Sequence, residues 1–210
     1  MIGVLGGTFD PIHFGHLRTA LDVAEMMNLE QVRFIPAGIP PHRDRPVASA
    51  EQRLAMVELA IADQAGFVVD AREIRREGPS YMVDTLASLR TELGEHPPLG
   101  LILGLDAFSE LDSWHRWSEL IELAHLLVMT RPGWREQDIS SAALQELMTR
   151  HKVTNPVDCH QTAAGCVVFL PVSQLGISST QIRQAVRAGQ DIRYLLPDSV
   201  YGLIRQEQIY

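Results

Sequence analysis

The feature that most constrains this 210-residue chain is its alternation of short apolar runs with amphipathic stretches. The runs at 2–5, 32–35, 67–69, 99–103, 125–130 and 167–171 are rich in Val, Ile and Leu and nearly free of charge. Runs of that length read as strands buried on both faces. Between them, apolar residues recur at three- and four-residue spacing, which predicts helices over 14–27, from Ser49 to Ile61, and over 80–93, 114–123, 140–151, 179–188 and 197–206. Ser49 and Gln52 have the spacing of a capping box. Strands alternating with helices predict an α/β fold, a Rossmann-like doubly wound parallel sheet with helices on both sides. No repeat, low-complexity tract or linker breaks the order, so residues 1–210 are expected to form one domain.

Charge narrows the function. The formal net charge is -8, with 46% hydrophobic and 21% charged residues. That balance is globular, and the acidic surplus excludes non-specific nucleic-acid binding. A phosphate-bearing ligand would have to be held by a local basic site against the overall field. Two cysteines, Cys159 and Cys166, make neither a disulfide framework nor a zinc cluster, and are expected to be ordinary thiols in a reducing compartment. No apolar run approaches a membrane span, and the first residues run into a glycine pair rather than a basic leader. The expected setting is the cytoplasm, with no membrane or nucleic-acid partner and no metal-ligating set.

The first strand is followed by Gly6-Gly-Thr-Phe-Asp-Pro-Ile-His13-Phe-Gly-His16, which opens the first predicted helix. In a doubly wound sheet, ligands bind at the carboxyl ends of the strands. Gly6 and Gly7 allow the backbone to approach a ligand closely, and a helix start presents free N–H groups and partial positive charge to phosphate. The string fits neither the dinucleotide nor the Walker glycine pattern. His13 and His16, three apart, share one helix face. Taken alone they fit metal ligation as well as hydrogen bonding to phosphate oxygens that gain charge in a transition state.

Near the other end comes Gly176-Ile-Ser-Ser-Thr-Gln-Ile-Arg183. Ser178, Ser179 and Thr180 at a helix start serve as caps, or as a second phosphate cradle with Arg183 one turn inside.

The two segments together resemble the HxGH nucleotidyltransferase superfamily, and more narrowly its bacterial nicotinate-mononucleotide adenylyltransferase branch. Further matching segments are Ile35-Pro with Pro40-Pro-His-Arg43, Glu77-Gly-Pro-Ser-Tyr81 with Asp84-Thr85, Gly104-Leu-Asp106 with Trp114, and Arg131-Pro-Gly133. The resemblance implies one-step transfer of the adenylyl group of ATP to nicotinate mononucleotide. Nicotinate adenine dinucleotide would form by direct in-line attack, with Mg²⁺-bound pyrophosphate leaving and no covalent enzyme intermediate. It also implies site roles. Gly6 and Gly7 would belong to the ATP site, and Thr8 and Phe9 would line the α-phosphate and mononucleotide side through their backbones. His16 would hydrogen-bond the α-phosphate and His13 the triphosphate. Ser178, Ser179, Thr180 and Arg183 would take the β- and γ-phosphates, with His16, His13 and Arg183 carrying the catalysis. Asp106 would hold the ribose hydroxyls. Trp114 would stack on the pyridine ring or be buried in the core. Backbone N–H groups around Met82 and His115 would meet the nicotinate carboxylate. Arg43 would neutralise the mononucleotide phosphate or stand as a solvated loop charge.

Trp117, His125, His151 and His160 have no partner pattern and are expected to pack or face solvent, and the charged run 72–77 is expected to be a solvated face. A sister transferase acting on phosphopantetheine or an alcohol phosphate is the near alternative, and a non-catalytic nucleotide sensor the distant one. Monomer and small homo-oligomer both remain open.

Overall fold

The protein is described here from a computed structural model covering residues 1–41, 45–130 and 133–210. In chain order it forms β1 (Ile2–Gly7), α1 (Phe14–Met26), β2 (Gln31–Pro36), α2 (Ala50–Ile61), β3 (Phe67–Val69), α3 (Arg72–Arg75), α4 (Met82–Leu93) and β4 (Leu99–Gly104). Then follow α5 (Leu105–Ser109), α6 (Leu120–Leu123), β5 (His125–Thr130), α7 (Ala142–His151), β6 (Val167–Pro171), α8 (Ser179–Arg187) and α9 (Asp198–Glu207).

The strands form one sheet in the order β3-β2-β1-β4-β5-β6, and every neighbouring pair is parallel. The chain therefore builds outward from β1 to β3 and returns to β4 on the far side of β1. This reversal opens a crevice at the carboxyl ends of β1 and β4, where doubly wound sheets bind ligands.

Side-chain alternation in the central strands explains why both faces are covered. Leu101, Leu103, Leu126 and Val128 enter one cluster with Val83, Leu86 and Leu89 of α4 and Leu144 of α7. Ile102, Leu127 and Val168 enter the other, with Ala20 and Val23 of α1, Met56 and Val57 of α2, Ile182 of α8 and Val200 of α9. Successive strand residues point to opposite faces, so unbroken apolar runs feed two cores at once. Fully burying one such side chain stabilises the fold by roughly 1.5–3 kcal/mol. Among the described residues, no helix is long and apolar enough to cross a membrane.

The six expected strands are present among the described residues, and the Ser49–Gln52 capping box forms in full at the start of α2. The helix expected over 114–123 is mostly absent. Trp114 is extended, a 3-10 turn covers Trp117–Glu119, and only Leu120–Leu123 is α-helical. Arg116 sits in the left-handed region at φ 50°, where its guanidinium reaches Glu119 at 2.5 Å and Asp84 at 3.4 Å. One left-handed residue is enough to stop a helix from propagating through it.

The charged run 72–77 is not a solvated face. It contains α3, which buries Glu73 and ties Arg72 to Asp70 and Glu92, with Arg33 of β2 on the same two carboxylates. Helix α5 is not set off from β4 in the sequence because it starts at Leu105, directly after the strand's last residue, Gly104.

Candidate active site

The two glycine–hydroxyl segments lie at one end of the sheet and hold each other. Ser179 donates from its hydroxyl to the Pro11 carbonyl at 2.9 Å, and Arg183 donates from Nη1 to the Asp10 carbonyl at 2.7 Å. Gly15 completes the junction, since a Cβ there would stand 2.9 Å from the His13 ring and 3.4 Å from the Ile177 carbonyl. Residues about 170 apart in the chain thus form one surface at the start of α1 and α8.

The start of α1 is a capping box made of histidines. Gly15 N–H donates to His13 Nδ1 at 3.1 Å, and His13 N–H donates to His16 Nδ1 at 3.3 Å. Each Nδ1 therefore acts as an acceptor, which in the neutral ring leaves the proton on Nε2. The two rings stack at 3.8 Å between centroids. Burial pulls His13 down to about 4, so it is neutral around pH 7. Helix capping and tautomer selection are thus achieved by the same two hydrogen bonds.

The loop before α1 is held from below. Phe9 has φ 49°, a costly conformation for a bulky residue, and its buried ring contacts His16 edge-on at 5.2 Å and Phe34 at 6.1 Å. Asp10 is buried and accepts from Val47 N–H, Ala48 N–H and the Tyr210 hydroxyl at 3.0, 3.1 and 2.8 Å. Burial and the adjacent Asp10 hold Tyr210 in its phenol form.

Each hydroxyl of the second segment has a partner within the protein. Ser178 caps α8 by accepting from Gln181 N–H at 3.2 Å, Ser179 is spent on Pro11, and Thr180 accepts from Arg183 Nη2 at 3.2 Å. The expectation of hydroxyls acting as caps or as a cradle resolves in part: Ser178 is a cap. The N–H groups of Ser179 and Thr180, in the first turn of α8, have no backbone acceptor among the described residues, the kind of helix start that favours an anion.

Across the crevice, Asp106 is exposed in the first turn of α5 just beyond β4. Met82 begins α4, and its Cε occupies the space a Gly6 Cβ would fill, only 2.4 Å from that ideal position. A side chain at Gly6 would have to displace the flexible end of Met82. Tyr81, the N-cap of α4, packs with its ring tilted against His115, centroids 4.2 Å apart, and Trp114 is half-buried against the core cluster that includes α4 and α7. Gly6, Met82 and His115, far apart in sequence, are thus brought to one side of the glycine loop. Arg43, with Arg131 and Pro132, lies outside the described residues.

Sequence reasoning missed a set of residues behind these. Ser80 accepts from Gly38 N–H and Ile39 N–H at 2.9 and 3.3 Å. Glu73 accepts from the Thr85 hydroxyl at 2.6 Å, and burial pushes its carboxyl up despite that bond and one from Ser80. Arg53 is buried in α2 and donates to the Thr8 and Gly38 carbonyls. A signal for Arg53 existed, because 53, 56, 57 and 61 form the buried stripe of α2 and only the first is charged.

His125, Cys159 and Cys166 place one candidate ligand atom each within 4.8 Å of one another. Both imidazole nitrogens are already paired, Nε2 with the Thr162 carbonyl at 2.9 Å and Nδ1 with Cys166 N–H at 3.1 Å. Burial pushes the Cys159 thiol up to about 12. These are packing roles. His151 and His160 are likewise tied to backbone carbonyls, of Gly165 at 2.9 Å and Met27 at 2.8 Å.

Residues 4–185 match the family described as cytidylyltransferase-like. A protein of Methylococcus capsulatus named "Probable nicotinate-nucleotide adenylyltransferase" is 50% identical over 212 residues, covering 100% of this chain and 99% of its own. One of the same name from Aeromonas salmonicida is 48% identical over 209 residues, covering 100% and 96%. Among solved structures, Plasmodium falciparum nicotinic acid mononucleotide adenylyltransferase complexed with NaAD matches with a TM-score of 0.71 at 16% identity, covering 100% of this chain and 96% of that one. That last likeness speaks for the fold alone. With full-length identity near one half, the chain belongs to the nicotinate-nucleotide adenylyltransferase family of cytidylyltransferase-like proteins.

Proposed function

We propose that this chain transfers the adenylyl group of ATP to nicotinate mononucleotide, giving nicotinate adenine dinucleotide and pyrophosphate. The observation that carries the reading is the meeting of the α1 and α8 starts through Arg183 on Asp10 and Ser179 on Pro11. The starts of α1 and α8, the His13 and His16 imidazoles and the Arg183 guanidinium are thereby gathered at one end of the sheet, a local concentration of donors that favours phosphate in a protein whose net charge is -8.

A 5′-phosphate oxygen of the mononucleotide attacks the α-phosphorus of ATP, a new P–O bond forms, and the bond to the β-phosphate oxygen breaks. Such chemistry needs in-line placement and charge neutralisation more than covalent help. His16 donates from Nε2 to the α-phosphate as charge builds, and neutral His13 donates to the triphosphate. The backbones of Gly6, Gly7, Thr8 and Phe9 face the α-phosphate. Arg183 and the first-turn N–H groups of α8, at Ser179 and Thr180 behind the Ser178 cap, receive the leaving pyrophosphate. Asp106 takes the ribose hydroxyls. At the acceptor end, Trp114 stacks on the pyridine, and the N–H groups near Met82 and His115 meet its carboxylate. Arg43 supplies charge to the mononucleotide phosphate.

Mg²⁺ belongs to the substrate, as MgATP. The buried Asp10 carboxylate accepts from two N–H groups and a hydroxyl, which gives it a role in holding the loop before α1. Because the site uses both ends of the chain, residues 1–210 are read as one catalytic domain, working in the cytoplasm on free nucleotides.

The test is incubation with ATP, Mg²⁺ and either pyridine mononucleotide, with phosphopantetheine as the control acceptor. The expected products are the dinucleotide and pyrophosphate in equal amounts, with the acid preferred. Turnover of phosphopantetheine alone, or of no acceptor, overturns the reading.

A further inference from the structure

Arg53 is the most completely buried charged side chain described, at 1% exposure, and no carboxylate among the described residues forms an ion pair with it. Nη1 donates to the Thr8 carbonyl at 2.8 Å, Nη2 donates to the Gly38 carbonyl at 3.2 Å, and Nε is buried without a partner among the described residues. Asp10 acts on it only at a distance. A buried cation of this kind is costly, and an apolar residue of similar volume would serve packing at least as well. Its two carbonyl contacts show what the guanidinium does that an apolar residue could not.

Thr8 lies in the glycine loop assigned to the α-phosphate, and Gly38 opens the loop that leads to Arg43 on the acceptor side. One rigid planar fork therefore ties together the backbones that carry the two reactants. The Thr8–Phe9 peptide is trans, so drawing the Thr8 carbonyl onto Arg53 turns the Phe9 N–H away from α2. Phe9 itself is held at φ 49°, a conformation that persists only when its surroundings impose it. Gly38 is fixed from the other side as well, its N–H donating to Ser80 at 2.9 Å.

We propose that Arg53 is a positioning residue for the transfer, clamping the donor loop at Thr8 and the acceptor loop at Gly38 in the relative placement that in-line attack requires. It touches neither reactant. The charge and the fork act through the backbone, so losing them shifts alignment more than affinity. The proposal rests on the adenylyl-transfer reading.

The experiment is steady-state kinetics on wild type, Arg53→Lys and Arg53→Ala with MgATP and nicotinate mononucleotide, alongside thermal melts. For Arg53→Lys, which keeps charge but loses the fork, kcat is expected to fall roughly 10–100-fold while both KM values stay within about threefold. Millimolar guanidinium ion is expected to raise the kcat of folded Arg53→Ala severalfold and to leave wild type unchanged. A purely structural role would lower the melting temperature and give neither the kcat-specific loss nor the rescue. If Arg53→Ala does not fold, Arg53→Lys alone decides. A kcat of Arg53→Lys within twofold of wild type, or a loss confined to KM, overturns the positioning role. Failure of wild type to make the dinucleotide overturns the activity reading instead.

Discussion

Arg183 of α8 reaches back to the loop that precedes α1, its Nη1 2.7 Å from the Asp10 carbonyl and 3.7 Å from the Asp10 carboxylate. A single side chain thus joins the start of α8 to the loop before α1. Arg183→Met should lose both the tether and the charge. The expected result is a fall in kcat of about 10²–10³-fold, the scale of losing a donor to developing charge, read by pyrophosphate release.

His16 caps α1 through Nδ1 and is proposed to donate from Nε2 to the α-phosphate, and one substitution separates the two. His16→Asn keeps a side-chain oxygen to accept the His13 N–H, as Nδ1 does now, but has no Nε2–H. Melting should stay within a few degrees of wild type. The expected kcat loss is about 10²-fold or more, with the KM for ATP little changed. An equal loss in kcat and ATP affinity would place His16 in ground-state binding instead.

His13 makes stability depend on pH. Burial lowers its pKa to about 4, below the 6.5 of an unfolded histidine. Between those values the unfolded chain binds a proton that the folded one refuses, so stability falls as the solution is acidified from above pH 6.5 towards 4. By about pH 5 the loss from this group is roughly 2 kcal/mol. His125, also lowered by burial, adds in the same direction. His13→Asn retains a capping oxygen without the titration. Denaturant melts at about pH 7.5 and about pH 5 should show a smaller acid loss in this variant than in wild type.

Ser80 fixes the turn after β2, its hydroxyl accepting from both Gly38 N–H and Ile39 N–H, and this turn leads into the segment proposed to meet the mononucleotide. Ser80→Ala should raise the KM for nicotinate mononucleotide by about tenfold and leave the KM for ATP within about twofold. Initial rates with each substrate varied in turn separate the two.

The fold was legible wherever periodicity was strong. Strands such as Leu99–Gly104 are continuously apolar because two cores take alternate residues, and the Ser49 box marks its helix start without tertiary help. The stretch around Trp114 was not legible, because Arg116 takes a left-handed conformation while pairing with Asp84 of α4, 32 residues away, as well as with nearby Glu119. The run at 72–77 failed for the same reason: charges that look solvated locally are paired across β2, α3 and α4. In the site, the histidines and the serine–threonine segment stood out by residue type. Ser80 did not, because what it holds is backbone amide, which leaves no trace in sequence spacing, and Arg53 showed only as a charge on the apolar stripe of α2, which does not say which carbonyls it holds.

The central claim is that the start of α1 and the start of α8 hold one triphosphate between them. A crystal structure with a non-hydrolysable ATP analogue measures this directly. The account predicts phosphate oxygens within hydrogen-bond distance of His16 Nε2 and of the first-turn N–H groups of α8 in the same bound molecule. An analogue bound elsewhere, or touching only one of the two helix starts, would contradict it.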